Sequence, residues 1–426
     1  MKVLVVGSGA REHALAWKAL QSPLTDAVFS APDNAATAAI AVNCPVQATD
    51  AEQLARLCQE REVDLAILGP DAAIAAGAAD AIEARGCLVF GPTTAAGRIE
   101  SSKVFAKELM ARAGVPTPPF HAFTDRERAK DFVRGEGRAF VVKADGLAKG
   151  KGSIVPSSQE ETLEAIDTLM LARSVGAAAD RILLEERIEG REVSLLALVD
   201  GSRSHPLPPV CDYKRALEGD RGPNTGGMGA YSPPGFFTQA DAERACRQVI
   251  DPVVAALGEA GAPYRGCLYA GLMLSDGGVQ VLEFNARFGD PEAQVLLPRL
   301  DGDLIPALEA AAAGDLGRAA LDWRSQASVG VVLASRGYPG PMVKTGRLIN
   351  GLFALEPQVY AFHAGTSASP AGYETSGGRV LTIVALGETV AGARERAYRN
   401  LERVSFEGMT YRADIAEREV AAQVVG

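Results

Sequence analysis

Glu283, Asn285 and Arg287 stand two residues apart in QVLEFNARFGDPE, residues 280–292. Side chains of a β-strand alternate between its two faces. The three polar residues therefore share one face, and Leu282, Phe284, Ala286 and Phe288 share the other. A carboxylate beside an amide oxygen is a hard donor set of the kind that holds Mg²⁺. A guanidinium next to them offers a planar fork to an anion. An ordinary amphipathic strand with one wet face has the same pattern, so other segments must decide.

Lys143 ends the apolar run of VVKADGLAKGKGS. A Gly-Lys loop follows (Gly146, Lys149, Gly150, Lys151, Gly152), then a second strand, SIV. The spacing is not that of a P-loop. Lysines on such a hairpin tip are placed to close over phosphates, as glycine-rich flaps do in kinases; a solvated basic turn is the alternative. Glu185 and Glu186 end the strand RILLEE, and Glu192 opens another. Strand ends of this kind hold adenine by the backbone and ribose by a carboxylate. NTGGMGAYSP sets Thr225 and Gly226 in a glycine cluster with Met228 and Tyr231, downstream of Asp212 and Lys214. VLVVGSGAREHAL puts Gly7 and Gly9 between strand and helix, near Arg11. Amides at a helix N-terminus suit a phosphate or carboxylate. Position 12 is Glu12 and no acid ends the second strand, which disfavours a dinucleotide. A turn that only packs strand on helix remains the alternative. No GxSxG, HExxH or EF-hand loop occurs. His13, His121, His205 and His363 are isolated in sequence and read as structural.

These residues need elements to position them. KVLVV, AVFSA, DLAILG and CLVF alternate with helical patterns, which predicts a parallel sheet covered on both faces. SSKVFAKELMARAG predicts a helix that stops at Gly114. Strands and helices mix from 120 to 200. Residues 205–234 are rich in Pro and Gly and read as a long loop, of a length that is usually functional or disordered. LYAGLMLSDGGVQVLEFN predicts a hairpin turning at Asp-Gly-Gly. A last block from about 327 carries its own strands and a helix, TVAGARERAYRNLERV. The expected division is a parallel-sheet α/β domain over 1–103, a central domain over 104–326 with a mobile flap at about 120–190, and an α+β domain over 327–426.

The 426 residues suit roughly three domains of about 150 each. A net charge of −10 and a pI near 5.2 argue against nucleic acid or anionic membrane as partner. Six scattered cysteines suggest reduced thiols in a cytoplasmic protein. No apolar run is long enough to span a membrane, and MKVLVVGSG is too short for a signal peptide.

The order strand-ending lysine, Gly-Lys flap, Glu-Glu hinge, Glu-x-Asn-x-Arg strand resembles the ATP-grasp superfamily. GSGAREHALAWK, KADGLAKGKG, GPNTGGMGAYSP, LYAGLM, EFNARFGDPE, GYPG, FHAGT and GGRVL together resemble the glycinamide ribonucleotide synthetases, the phosphoribosylamine–glycine ligases of purine synthesis. The matches run in order from residue 1 to about 380. The resemblance implies ATP and Mg²⁺ (or Mn²⁺) as cofactors, glycine and phosphoribosylamine as substrates, and a monomer. It implies metal ligands Glu283 and Asn285, and nucleotide contacts from Lys103, Lys143, Lys151, Glu185, Glu186, Ile188 and Glu192. Substrate contacts would come from Gly9, Arg11, Thr225, Gly226 and Asp290, with Arg287, Asp212 and Lys214 catalytic. The chain departs from the family pattern at Ala10, Asp71, Ala73, Ile74, Lys149, Cys211 and Tyr213. Most of these gather where the family binds its amine. A paralogous ligase with a different amine or amino acid is therefore one alternative; a non-catalytic nucleotide-binding protein on the same fold is another.

Overall fold

The structure is a computed structural model that describes every residue except Lys149, Ala319 and Gly426; Lys149, expected in the flap, lies outside the described residues. The first sheet is parallel, in the order β3-β2-β1-β4-β5, from β1 (Lys2–Val6), β2 (Ala27–Ala31), β3 (Val42–Asn43), β4 (Leu65–Leu68) and β5 (Leu88–Phe90). Its apolar runs are continuous because both faces are covered. Leu4 and Val6 join one core with Leu54 and Ile82 of the helices Ala51–Arg61 and Ala78–Glu83. Val3 and Val5 join the other, with Leu15 of helix Ala10–Ala19 and Leu308 of helix Ile305–Ala313.

An antiparallel sheet follows in the order β6-β9-β7-β8, from β6 (Phe120–Phe123), β7 (Val141–Ala144), β8 (Ser153–Ile154) and β9 (Ile182–Glu185). It packs on helices Arg126–Glu136 and Gln159–Ile166 around a separate core that includes Val133, Phe140, Val142, Ile166 and Leu184. The central sheet begins with β10 (Arg191–Asp200) and β11 (Ser204–Pro206). The region expected to be a long loop contains short strands instead: β12 (Cys211–Asp212), β13 (Arg215–Leu217), β14 (Arg221–Asn224) and β15 (Gly229–Ser232). At two to four residues each they are too short for any periodic signal; β12 pairs with β15, β13 with β14, and β15 also with a later strand, Ala327–Ala334.

The expected hairpin is present. β16 (Arg265–Ser275) pairs antiparallel with β17 (Gly278–Asn285) and completes the order β11-β10-β16-β17. Its register shifts between Gly271 and Leu272. The bulge corrects the simple alternation: Val281 is buried and Leu282 only half-buried, whereas Phe284, Ala286 and Phe288 keep the expected core positions. An extra residue on one strand resets which face each side chain takes.

The last block contains β18 (Ala327–Ala334), β19 (Leu348–Ile349), β20 (Val359–His363), β21 (Thr366–Ser369), β22 (Gly372–Thr375) and β23 (Arg379–Gly387). Its main sheet runs β12-β15-β18-β23-β20, so two short strands from the middle of the chain join it. That joining carries Asp212 and the glycine loop from the central sheet to the C-terminal one.

Candidate active site

All the lobes open onto one cleft of about 850 Å³. β17 carries Glu283 and Asn285 to it. Glu283 faces Gly271 across the hairpin, and no large side chain competes for that space. Burial would raise the Glu283 carboxyl. Lys214, Lys103, Lys143 and Arg287 outweigh it and hold the group below the ordinary range. Arg287 donates from Nη2 to Asn285 Oδ1 at 3.0 Å and pairs with Glu100 at 2.9 Å. Glu100 also accepts the Ala286 N–H at 2.7 Å. This acid comes from helix Thr94–Ser101, and it fixes both the strand and its arginine.

The other expected nucleotide-side groups, Lys151 excepted, line the same cleft. Lys143, at the end of β7, donates to the Leu282 carbonyl at 3.1 Å and pairs with Glu185 at 2.6 Å. Lys103 opens helix Lys103–Ala113, and its N–H donates to the carbonyl of Asp145 in the flap hairpin. Glu185, Glu186, Ile188 and Glu192 line the cleft as well. Lys107 was missed from sequence. It is 2% exposed, pairs with Glu185 at 2.8 Å, and burial first of all brings its ammonium down to about 8. The Glu185 carboxylate is thus shared by two lysines. Lys151 stands exposed on the flap, outside the lining.

Asp212 and Lys214 come from β12 and the residues after it. Lys214 Nζ lies 3.0 Å from Glu192 and 3.2 Å from Asp212. Burial pulls the ammonium down, yet Asp212 and Glu192 leave it well above its ordinary value. Burial pushes Asp212 up, with Lys214 opposing. Thr225 folds the glycine loop back onto this pair: its N–H and Oγ1 both donate to the Lys214 carbonyl, at 2.8 and 2.9 Å. Arg379 of β23 was also missed. It donates to the Gly226 carbonyl at 2.6 Å and the Asp290 carbonyl at 2.9 Å, and pairs with the Asp290 carboxylate at 3.0 Å. A C-terminal arginine therefore ties the glycine loop to the end of the Glu-x-Asn-x-Arg segment.

The N-terminal turn is arranged differently from a bare phosphate cradle. The Gly9 N–H donates to Glu12 Oε2 at 2.7 Å, and Arg11 pairs with Glu12 at 2.7 Å while donating to the Phe288 carbonyl at 3.0 Å. Arg11 lines the cleft; Gly9 lies just behind the lining. Among the departures from the family pattern, Ala10, Ala73 and Ile74 are core residues away from the cleft. Asp71, Cys211 and Tyr213 line it, but the Tyr213 hydroxyl turns away and accepts the Ala416 N–H at 2.9 Å.

The donor chemistry fits a Mg²⁺ ion bound jointly with a polyphosphate. Glu283 supplies a charged oxygen and Asn285 a neutral one. Among the described residues no cluster of three His, Cys, Asp or Glu side chains forms an all-protein metal cage. Mg²⁺ commonly takes one or two protein carboxylates and fills its shell with waters and phosphates.

A flap hairpin, a Glu-Glu hinge and an oxygen-donor strand around one polar cleft define an ATP-grasp architecture. The comparisons agree. Residues 1–100 match the N domain of phosphoribosylglycinamide synthetase, 101–293 its ATP-grasp (A) domain, and 328–418 its C domain. A Neisseria meningitidis protein named phosphoribosylamine–glycine ligase is 44% identical over 422 residues, covering 99% of this chain and all of that protein. A protein of the same name from Halalkalibacterium halodurans is 41% identical over 425 residues, covering 100% of this chain and 99% of its own. The crystal structure of a Thermotoga maritima phosphoribosylamine–glycine ligase superposes with a TM-score of 0.84 at 33% identity, covering 98% of this chain and 100% of that one. The chain belongs to the phosphoribosylglycinamide synthetase family. Among the described residues, no helix is long and apolar enough to cross a membrane.

Proposed function

We propose that this protein is an ATP-dependent ligase that joins glycine to 5-phosphoribosylamine, giving glycinamide ribonucleotide, ADP and phosphate in purine biosynthesis. In this reading the glycine carboxylate takes the γ-phosphoryl group of ATP, and the amine displaces phosphate from the resulting acyl phosphate. No covalent bond to the protein is needed, so the side chains work by positioning and charge neutralisation. Glu283 and Asn285 would hold Mg²⁺ or Mn²⁺, which when bound neutralises phosphate charge and orients the oxygens. Lys103, Lys143 and Lys151 face the phosphates, the last once the flap closes. Glu185, Glu186 and Ile188 form the adenine edge, and Glu192 meets the ribose. Arg287 takes the acyl phosphate, and Asp212 and Lys214 the reacting amine and carboxylate. Gly9, Arg11, Thr225, Gly226 and Asp290 border the amine substrate.

The observation that carries this reading is the Glu283–Asn285–Arg287 row, clamped by Glu100 and facing cations from three different elements. It speaks against a non-catalytic binder, which has no use for an arginine fixed where an acyl phosphate would form. The core positions of Ala10, Ala73 and Ile74 and the outward turn of the Tyr213 hydroxyl narrow the departures that could bear on the amine to Asp71 and Cys211, so phosphoribosylamine is the amine we propose. We take the division at 103/104 and 326/327, a monomeric state and a cytoplasmic location as part of the proposal; six free thiols are in keeping with a reducing compartment. Introduced into a purine-requiring strain that lacks this step, the gene should restore growth without added purine. Failure to grow with the protein folded and expressed would count against the substrate pair.

A further inference from the structure

We infer that Glu292 accepts the proton of the attacking amine as the amide forms; the inference rests on the ligase reading above. Glu292 opens the short helix Glu292–Leu296 directly after Pro291, is 4% exposed, and lines the cleft beside Arg287. Its Oε1 lies 3.3 Å from Ser194 Oγ, and the same hydroxyl is 3.3 Å from Asp212 Oδ1 and 3.1 Å from the Tyr269 hydroxyl. One hydroxyl proton cannot serve two carboxylates at once. Two buried acids meeting at one hydroxyl raise the proton affinity of the one without a cation partner, which makes its carboxylate a stronger base.

The neighbouring cations are engaged elsewhere. Lys214 bonds Asp212 and Glu192, Arg287 bonds Glu100 and Asn285, and Arg379 bonds Asp290. Glu292 forms no ion pair within 4.0 Å among the described residues, although Lys214, Arg287 and Arg379 act on it from a distance. Asp212, Cys267 and Tyr269 are the other titratable groups facing it. Burial, then Asp212, pushes its carboxyl up to about 7. A general base works best when its pKa lies near the operating pH. Asp212, tied to a lysine, is less free to take a proton.

In the step, the amine nitrogen bonds to the acyl carbon and its proton passes to the Glu292 carboxylate. The carbon–oxygen bond to phosphate breaks, and the oxygen keeps the electron pair. The leaving phosphate then takes the proton from Glu292. Amine plus acyl phosphate dianion becomes amide plus hydrogen phosphate dianion, and the protein returns to its starting state.

Glu292→Gln keeps the side-chain shape and removes the base. The full chain would be given ATP and glycine with hydroxylamine, which is largely unprotonated at neutral pH and traps an acyl phosphate as a hydroxamate. In parallel it would receive phosphoribosylamine generated in place. Hydroxamate formation should stay within about threefold of the unaltered protein, while amide formation falls by about 100-fold or more. The rise of the amide rate with pH near 7 should disappear with it. Equal losses in both reactions, or an unchanged amide rate and pH profile, would overturn the assignment. Glu292→Asp, a second variant in case the first does not fold, should show the same selective loss to a smaller degree and keep the pH rise; a proportional loss in both reactions would again overturn it. The unaltered protein is measured first: no hydroxamate from it would remove the ligase reading itself, a result distinct from any variant's.

Discussion

Glu283 remains a carboxylate in a buried setting because Lys214, Lys103, Lys143 and Arg287 all face it. Glu283→Gln is isosteric but deletes the charged member of the proposed metal site. Turnover followed by phosphate release should fall by about 100-fold or more, with the melting temperature within about 2 °C of the unaltered protein. A near-normal kcat would remove Glu283 from the metal role. The pair Glu283 and Asn285 was legible in the sequence because strand alternation places them on one face; the strand ends at Asn285, and Arg287, expected on the same strand, joins them from the bend that follows through Glu100 and the Asn285 amide. Leu282 broke the rule because a bulge is set by the partner strand. Lys107 and Glu100 were not legible. In KVFAKELM and GRIES each is an ordinary helix polar residue, and only tertiary packing brings one to Glu185 and the other to Arg287.

The glycine loop belongs to the next scale, because its value lies in how it seats between two sheets. Gly227 has φ +111°, and a β-carbon there would sit 2.4 Å from Pro291 Cδ. Only glycine meets both demands without strain. Gly227→Ala should displace the loop from Asp290 and Arg379. Displacements near 1 Å at a site can cost about 100-fold, so kcat/KM for the amine substrate should fall by about that much while the melt stays cooperative. Unchanged kinetics would mean the loop plays no part in positioning. Its composition marks this loop in the sequence, but the same Pro and Gly content gives the whole of 205–234 the look of one long loop. The short strands β12 to β15 draw their partners from one another and from β18, and nothing local announces such pairing. The long periodic elements, by contrast, were visible, since burial on one or both faces writes itself into the spacing of apolar residues.

At the scale of the molecule, the N- and C-terminal lobes are joined by two histidines that look unrelated in sequence. The His363 N–H donates to His13 Nδ1 at 3.0 Å, and His363 Nδ1 lies 3.1 Å from Thr366 Oγ1. Burial, then His363, takes His13 down to about 3; burial takes His363 down to about 4. Both folded-state values lie below the unfolded one, so the unfolded chain binds more protons in acid. Their contribution is complete above about pH 6.5 and is lost as pH falls toward 4 and then 3. At pH 5 the loss should be about 2 kcal/mol for each histidine. Urea unfolding at pH 7.5 and 5.0 should show it, and a double variant, His13→Asn with His363→Asn, should lose most of that dependence. An equal fall in both proteins would assign the effect to other groups. The architecture as a whole, three lobes closing on one polar cleft, is what the ligase reading requires, and that reading is the central claim. The most direct measurement supplies ATP, glycine and phosphoribosylamine generated in place, and follows the product by mass. Glycinamide ribonucleotide should accumulate in step with ADP and phosphate, and only when all three substrates are present. Turnover with another amine and none with phosphoribosylamine would contradict the account.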